Sequence, residues 1–299
     1  VNPTTADSLV ACGLDPTDVV RTVRIALAED LGPDGVDVTS AATIPRDQTG
    51  VADLVARADG VLAGLPVAAT VFELADHRVE VLYKVAEGAR VARGDVVATV
   101  AGPTRALLTA ERTALNLLCR LSGVATHTRA WVDALAGTGA RVLDTRKTTP
   151  GLRALEKYAV RAGGGANKRM GLYDVAMVKD NHARAAGGVA LAFARVRAAY
   201  PDLPVQVEVS DAAEAEAAVA AGATFLLCDN MSPPALREVV AAVGGRAELE
   251  ATGSLTLATA REYAGTGVDY LSVGALTHSS PVLDIAMDLT GPGAGHPAG

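Results

Sequence analysis

Apolar and polar positions change period along this chain. Residues 18–32, DVVRTVRIALAEDLG, carry apolar side chains at three- and four-residue steps and stop at Gly32, which predicts a helix. Residues 51–74, VADLVARADGVLAGLPVAATVFEL, read as a strand, a turn and a helix, and 77–103 alternate in period two with Gly88 and Gly94 at turns. A long helical stretch follows over 107–135, with Thr109 as its expected N-cap and Glu111 in its first turn.

Beyond it the pattern becomes regular. Six short apolar runs, ARVLDT, DVAMVKD, PVQVEVS, TFLLCDN, AELEATG and DYLSVGA, alternate with Ala-rich helical segments such as DAAEAEAAVAAG and PPALREVVAAV. A spacing of roughly 20–30 residues per unit is that of βα repeats in a parallel barrel. Runs apolar on both faces fit strands packed inside and covered by helices outside. The fold class is therefore α/β, a (β/α) barrel preceded by a mixed N-terminal region.

Each run ends in polar residues or glycine: Asp144 to Lys147, Lys179 to Asn181, Glu208, Asp229-Asn230, Glu250 to Ser254, and Gly274. The carboxyl ends of barrel strands form the active-site face, so six distant segments are expected at one mouth. That mouth would hold the cations Arg146, Lys147, Arg169 and Lys179, the carboxylates Glu208 and Asp229, and glycine turns at 163–165, Gly253 and Gly274. Cations suit an anionic substrate through charge-assisted hydrogen bonds. Two carboxylates beside such a substrate suit Mg²⁺, which takes one or two carboxylates plus phosphate oxygens. Glycines admit a phosphate to backbone N–H groups, and Gly253 precedes a helix whose start could receive it.

Composition narrows the classes. The 299 residues are 49% hydrophobic but only 3% aromatic, so the core is built from Ala, Val and Leu. The net charge of −7 argues against nonspecific nucleic-acid binding, and no apolar run is long enough for a membrane span. The start of the chain has no signal-peptide pattern, and three distant cysteines, Cys12, Cys119 and Cys228, read as reduced thiols in a cytoplasm. Scattered histidines form no metal motif. Against this acidic background, residues 144–169 concentrate cations. Of five lysines, Lys147, Lys157, Lys168 and Lys179 fall between 147 and 179. Lys157 falls mid-helix, on what reads as a solvated face. The Gly/Pro-rich tail GPGAGHPAG is expected to be disordered.

The blocks ERTALNLLCRLSG, DTRKTTPGLRALEKYAVRAGGGANKRMGLYDVAMVKDNH, LLCDN and GVDYLSVGALTHS resemble quinolinate phosphoribosyltransferase, over about Val20 to Asp288. The resemblance implies an N-terminal α/β sandwich over 1–113, joined by the segment 283–299, and an open α/β barrel over 114–282. It implies transfer of phosphoribosyl from phosphoribosyl pyrophosphate (PRPP) to quinolinate with decarboxylation, Mg²⁺ as cofactor, and a homodimer. By motif match, Arg146, Lys147, Arg169 and Lys179 would hold the quinolinate carboxylates and nearby phosphates, with Lys147 also at the leaving pyrophosphate. Arg112 would reach in from the partner subunit. Glu208 and Asp229 would hold ribose hydroxyls and magnesium. Thr252, Gly253 and Gly274 would receive the 5′-phosphate, and His278 belongs to the same substrate-binding set.

Two positions depart from the family pattern. Lys168 stands where a histidine is usual, and Ser254 where the phosphate turn usually has glycine. Three other readings stay open: an altered pyridine carboxylate as acceptor, a PRPP-binding homologue without turnover, and a Schiff-base lyase with Lys179 as nucleophile.

Overall fold

The computed structural model describes residues 1–290, so the glycine-rich tail lies outside the described residues. The chain forms two compact units. The first comprises Val1–His127, Thr149–Gly164 and the segment from Ser280; the second comprises Thr128–Thr148 and Gly165–Ser279.

In the first unit, strands β1 (Thr49–Ala56), β3 (Glu80–Tyr83), β5 (Val96–Pro103) and β12 (Ile285–Thr290) form an antiparallel sheet in the order β12-β1-β5-β3. Strands β2 (Gly60–Val61) and β4 (Arg90–Val91) pair separately. The helix Leu65–Ala75 is buried along its first eight residues, as its almost unbroken apolar sequence requires. A Cβ on Gly123 would lie 2.1 Å from Pro281 O, so only glycine lets the long helix Thr104–Ala134 meet the returning segment.

The second unit contains β6 (Arg141–Leu143), β7 (Ala176–Val178), β8 (Val205–Val209), β9 (Phe225–Asp229), β10 (Glu248–Thr252) and β11 (Tyr270–Ser272). These six are the six apolar runs. They form one sheet in the order β6-β11-β10-β9-β8-β7, and every pair is parallel. The edge strands β6 and β7 do not pair, which makes the barrel open. Part of the gap is taken by Ala166, which bridges Leu143, donates N–H to Val142 O (2.9 Å) and accepts from Asp144 N (3.2 Å).

The structure differs from the sequence expectations in four respects. The long helix starts at Thr104, directly after Pro103, because the apolar period already runs through Ala106 and Leu107. Thr109 is therefore interior and donates to Asp37 Oδ2 (3.2 Å). The boundary expected after residue 113 falls inside this helix, and the units divide at 127/128. The interval 114–282 is also not one unit, because the helix Arg153–Ala162 belongs to the first. It is held there by Arg120, which donates to Glu156, and through Arg161, which donates to Cys12 O (2.7 Å). The same packing buries Lys157 to 1% exposure, so it has no solvated face.

Candidate active site

The open end of the parallel sheet surrounds a cavity of about 600 Å³, built from residues of the second unit. Register sets its walls. Val178 pairs with Val207, which puts Lys179 beside Glu208. Asp229 pairs with Thr252, and Thr252 with Ser272. Side chains two apart share a face of a strand, so Leu227 and Asp229, and Glu250 and Thr252, point to the inside in layers.

Arg146, Lys147, Lys168, Arg169, Lys179, Glu208, Asp229, Thr252, Gly253, Gly274 and His278 all line this cavity. Arg112 is elsewhere, exposed on the helix Thr104–Ala134 of the first unit. Lys179 Nζ donates to Glu208 Oε2 (3.0 Å), and Asp180 N donates to Oε1 (3.3 Å). Asp229 Oδ2 accepts from Asn230 Nδ2 (3.0 Å). Thr277 Oγ1 donates to Lys147 O (2.9 Å), which fixes the backbone under that lysine.

The loop carrying Lys168 and Arg169 is tied to the end of β6. Asp144, wholly buried, accepts from Asn167 Nδ2 (2.6 Å) and Lys168 N (2.8 Å). Arg169 Nη1 donates to Val175 O (3.2 Å). Burial, and then the nearby Arg146 charge, push the Arg169 guanidinium below its ordinary range, while Asp174 opposes them. Two like charges near one another suit an anion between them.

Lys168 is placed differently from the other cations. Its Nζ donates to Glu250 Oε1 at 2.5 Å, with side-chain exposures of 7% and 0%. Ser272 Oγ donates to the same oxygen, and Oε2 has no hydrogen-bond partner among the described residues. Burial pushes the Lys168 ammonium down, Glu250 pulls it back up, and Arg169 and Lys179 push it down again. Burial and the Glu250 charge push the Cys228 thiol up to about 12. The sequence reading placed Glu250 in a polar strand end but missed its pairing, and it missed Ser272. The available signal was a carboxylate flanked by Leu249 and Ala251 in a strand with no solvated face.

The turn after β10 has Gly253 at φ 97° and Ser254 at φ 51°, both left-handed. A Cβ on Gly253 would lie 2.2 Å from Asn230 Oδ1, so this position is restricted to glycine on two counts. Thr252 to Leu255 line the cavity. The helix starts only at Leu257, where Thr256 and Thr259 cap each other, so a phosphate here would meet the turn rather than the helix end.

No cluster of three or more His, Cys, Asp or Glu able to hold a metal exists among the described residues. Glu208 and Asp229 supply two carboxylates, which suits Mg²⁺ only if phosphate or ribose oxygens complete its shell.

Sequence comparison assigns this arrangement to a family. A model of the quinolinate phosphoribosyl transferase C-terminal domain matches residues 124–288, and one of the N-terminal domain matches 37–122. The chain belongs to the quinolinate phosphoribosyl transferase family. It is 50% identical to the nicotinate-nucleotide pyrophosphorylase [carboxylating] of Mycobacterium leprae, over 90% of this chain and 96% of that protein. It is 38% identical to quinolinate phosphoribosyltransferase [decarboxylating] 1b of Nicotiana tabacum, over 91% of this chain and 82% of that one. The crystal structure of NadC from Streptococcus pyogenes superposes with a TM-score of 0.89 at 42% identity, covering 93% of this chain and 98% of that one. The family's members are pentosyltransferases, and the open barrel with an antiparallel N-terminal sheet is their fold. No helix among the described residues is long and apolar enough to cross a membrane.

Proposed function

We propose that the chain transfers the phosphoribosyl group of PRPP to quinolinate, releasing pyrophosphate and CO₂ and giving nicotinate mononucleotide. One observation carries this reading. In a chain of this family, Arg146, Lys147, Lys168, Arg169 and Lys179 line one cavity with Glu208 and Asp229.

Arg146 and Arg169 hold the acceptor's carboxylates and fix the pyridine ring against the anomeric carbon. Lys147 faces the leaving pyrophosphate, where negative charge grows as the bond breaks. Glu208 and Asp229 accept from the ribose hydroxyls, and the Thr252-Gly253 turn with Gly274 receives the 5′-phosphate. Glu208 and Asp229, with the substrate's oxygens, would hold Mg²⁺, which would supply further charge for the leaving group. Once the ring nitrogen carries the new bond it is cationic, and it stabilises the electron pair left on the neighbouring carbon when CO₂ departs. No strong acid or base is needed, which agrees with the absence of a histidine-centred constellation in the sequence.

The reading extends to a cytoplasmic homodimer in which Arg112 of a second copy adds a cation to the site. Its exposure on the surface of the long helix leaves it available for that. Lys179 Nζ is already engaged by Glu208 at 3.0 Å, a geometry that does not favour a Schiff-base lyase.

A second reading rests on Lys168. It stands where the family usually has a histidine, and an ammonium in place of a flat ring favours an acceptor altered from plain quinolinate. Steady-state kinetics with PRPP, Mg²⁺, and quinolinate or ring-substituted pyridine carboxylates separates the two. A higher kcat/KM for quinolinate supports the first reading, and a higher value for a substituted ring supports the second. PRPP binding without turnover on any acceptor overturns both in favour of a non-catalytic homologue.

A further inference from the structure

The floor of the cavity concentrates positive charge on three neighbouring residues from two segments: Lys168 and Arg169 on the loop, and Lys179 after β7. Lys179 has Glu208 as its partner. Lys168 is far more buried, and its partner is Glu250, reached from β10 across the barrel interior. A buried ammonium next to two other cations sheds its proton unless a negative charge stabilises it. The groups around it are Glu250, the Ser272 hydroxyl on β11, Arg169 on its own loop, Lys179 after β7, and Asp144 after β6, which accepts from its backbone N–H. On β9, Cys228 is close enough to feel Glu250, and burial and that charge keep it a neutral thiol. Among these, Glu250 is the group that favours the charged lysine.

We propose that Glu250 is a positioning residue, the counter-ion that holds Lys168 in place and charged in a cationic floor so that it can receive the acceptor's carboxylate. The part about the acceptor rests on the functional reading above; the part about the counter-ion does not. The geometry explains why a carboxylate is buried completely under a polar cavity. It explains why its two donors converge on Oε1 while Oε2 is left over: the carboxylate's charge matters there, beyond a filled set of hydrogen bonds.

The test uses the whole protein and its five lysines. NMR of ¹³Cε-labelled lysine follows each ammonium through its titration, and the signal lost in Lys168→Arg identifies Lys168. In the wild type it titrates below the ordinary lysine value; in Glu250→Gln the midpoint moves further down. Quinolinate affinity, measured by calorimetry on both sides of that new midpoint, then falls in Glu250→Gln by about tenfold per pH unit above it. Lys168→Arg combined with Glu250→Gln has a flat profile, because a guanidinium keeps its charge unaided. An unmoved Lys168 midpoint, or a Glu250→Gln affinity profile identical to wild type, overturns the proposal. A moved midpoint in a protein whose wild type does not bind quinolinate leaves the counter-ion standing and removes the acceptor reading instead. If Glu250→Gln does not fold, Ser272→Ala serves. Losing that hydroxyl strengthens the carboxylate as a counter-ion, so the Lys168 midpoint rises; no rise overturns the proposal.

Discussion

Two glutamates are wholly buried among the described residues, and each is paired with a cation. Glu156, in the first unit, accepts at Oε1 from Arg120 Nε (3.1 Å), Arg120 Nη2 (2.8 Å) and Thr149 Oγ1 (2.7 Å), and at Oε2 from Thr149 N (2.9 Å). Glu250, in the second unit, takes Lys168 and Ser272 on one oxygen and leaves the other with no partner among the described residues. A buried charge costs several kcal/mol unless its hydrogen bonds are filled. Glu156 is saturated and joins two distant segments of chain, so its role is the fold. Glu250 is not saturated and its partner lines the cavity, so its role is the site. The difference teaches that burial and pairing alone do not separate the two roles, whereas the count of filled lone pairs and the address of the partner do.

The largest effect should come from breaking the saturated pair. Glu156→Ala removes the acceptor of Arg120 Nε and Nη2 and of both Thr149 donors, and should cost about 3–5 kcal/mol in denaturant unfolding. A loss under about 1 kcal/mol would remove the contrast with Glu250. Next comes Arg169→Ala, which under the proposed function removes one charge-assisted bond to the acceptor, worth about 1.5–3 kcal/mol. The expected loss in kcat/KM is roughly tenfold to a hundredfold, with a small change in unfolding midpoint.

A partly buried carboxylate sharpens the comparison through pH. Glu87 accepts from Gly64 N and Leu65 N (both 2.8 Å) at the start of a helix, and burial raises its pKa to about 7 against those two bonds. A carboxyl whose folded pKa lies above its unfolded value binds its proton more tightly when folded. Its contribution is therefore fully present at pH below 4.5 and is lost as pH rises through about 7. Glu87→Gln should flatten that part of the stability profile between these values; an unchanged slope would contradict the assignment. The smallest effect belongs to Ser254, at φ 51°. Ser254→Gly should stabilise by about 0.5–1 kcal/mol, read as a raised Tm, because glycine bears the left-handed backbone without strain.

Local pattern made much of this legible. The six apolar runs are the six parallel strands, and the residues at their carboxyl edges line the cavity, because strand periodicity and barrel direction are both written locally. What escaped the sequence depended on contacts distant along the chain. Residues 149–164 leave the barrel's span and join the first unit, drawn by the Arg120–Glu156 pair, and this also buries Lys157. The helix start at Thr104 was hidden because Thr109 and Glu111 mimic a cap five residues late. Glu250 and Lys168 are 82 residues apart, and nothing local couples them.

The central claim is phosphoribosyl transfer with decarboxylation, and its most direct measurement is stoichiometry. Purified protein is incubated with PRPP, Mg²⁺ and quinolinate, and pyrophosphate and CO₂ are counted together. The account predicts release of both in equal amounts. Pyrophosphate without CO₂, or neither product from a protein that still binds PRPP, would contradict it.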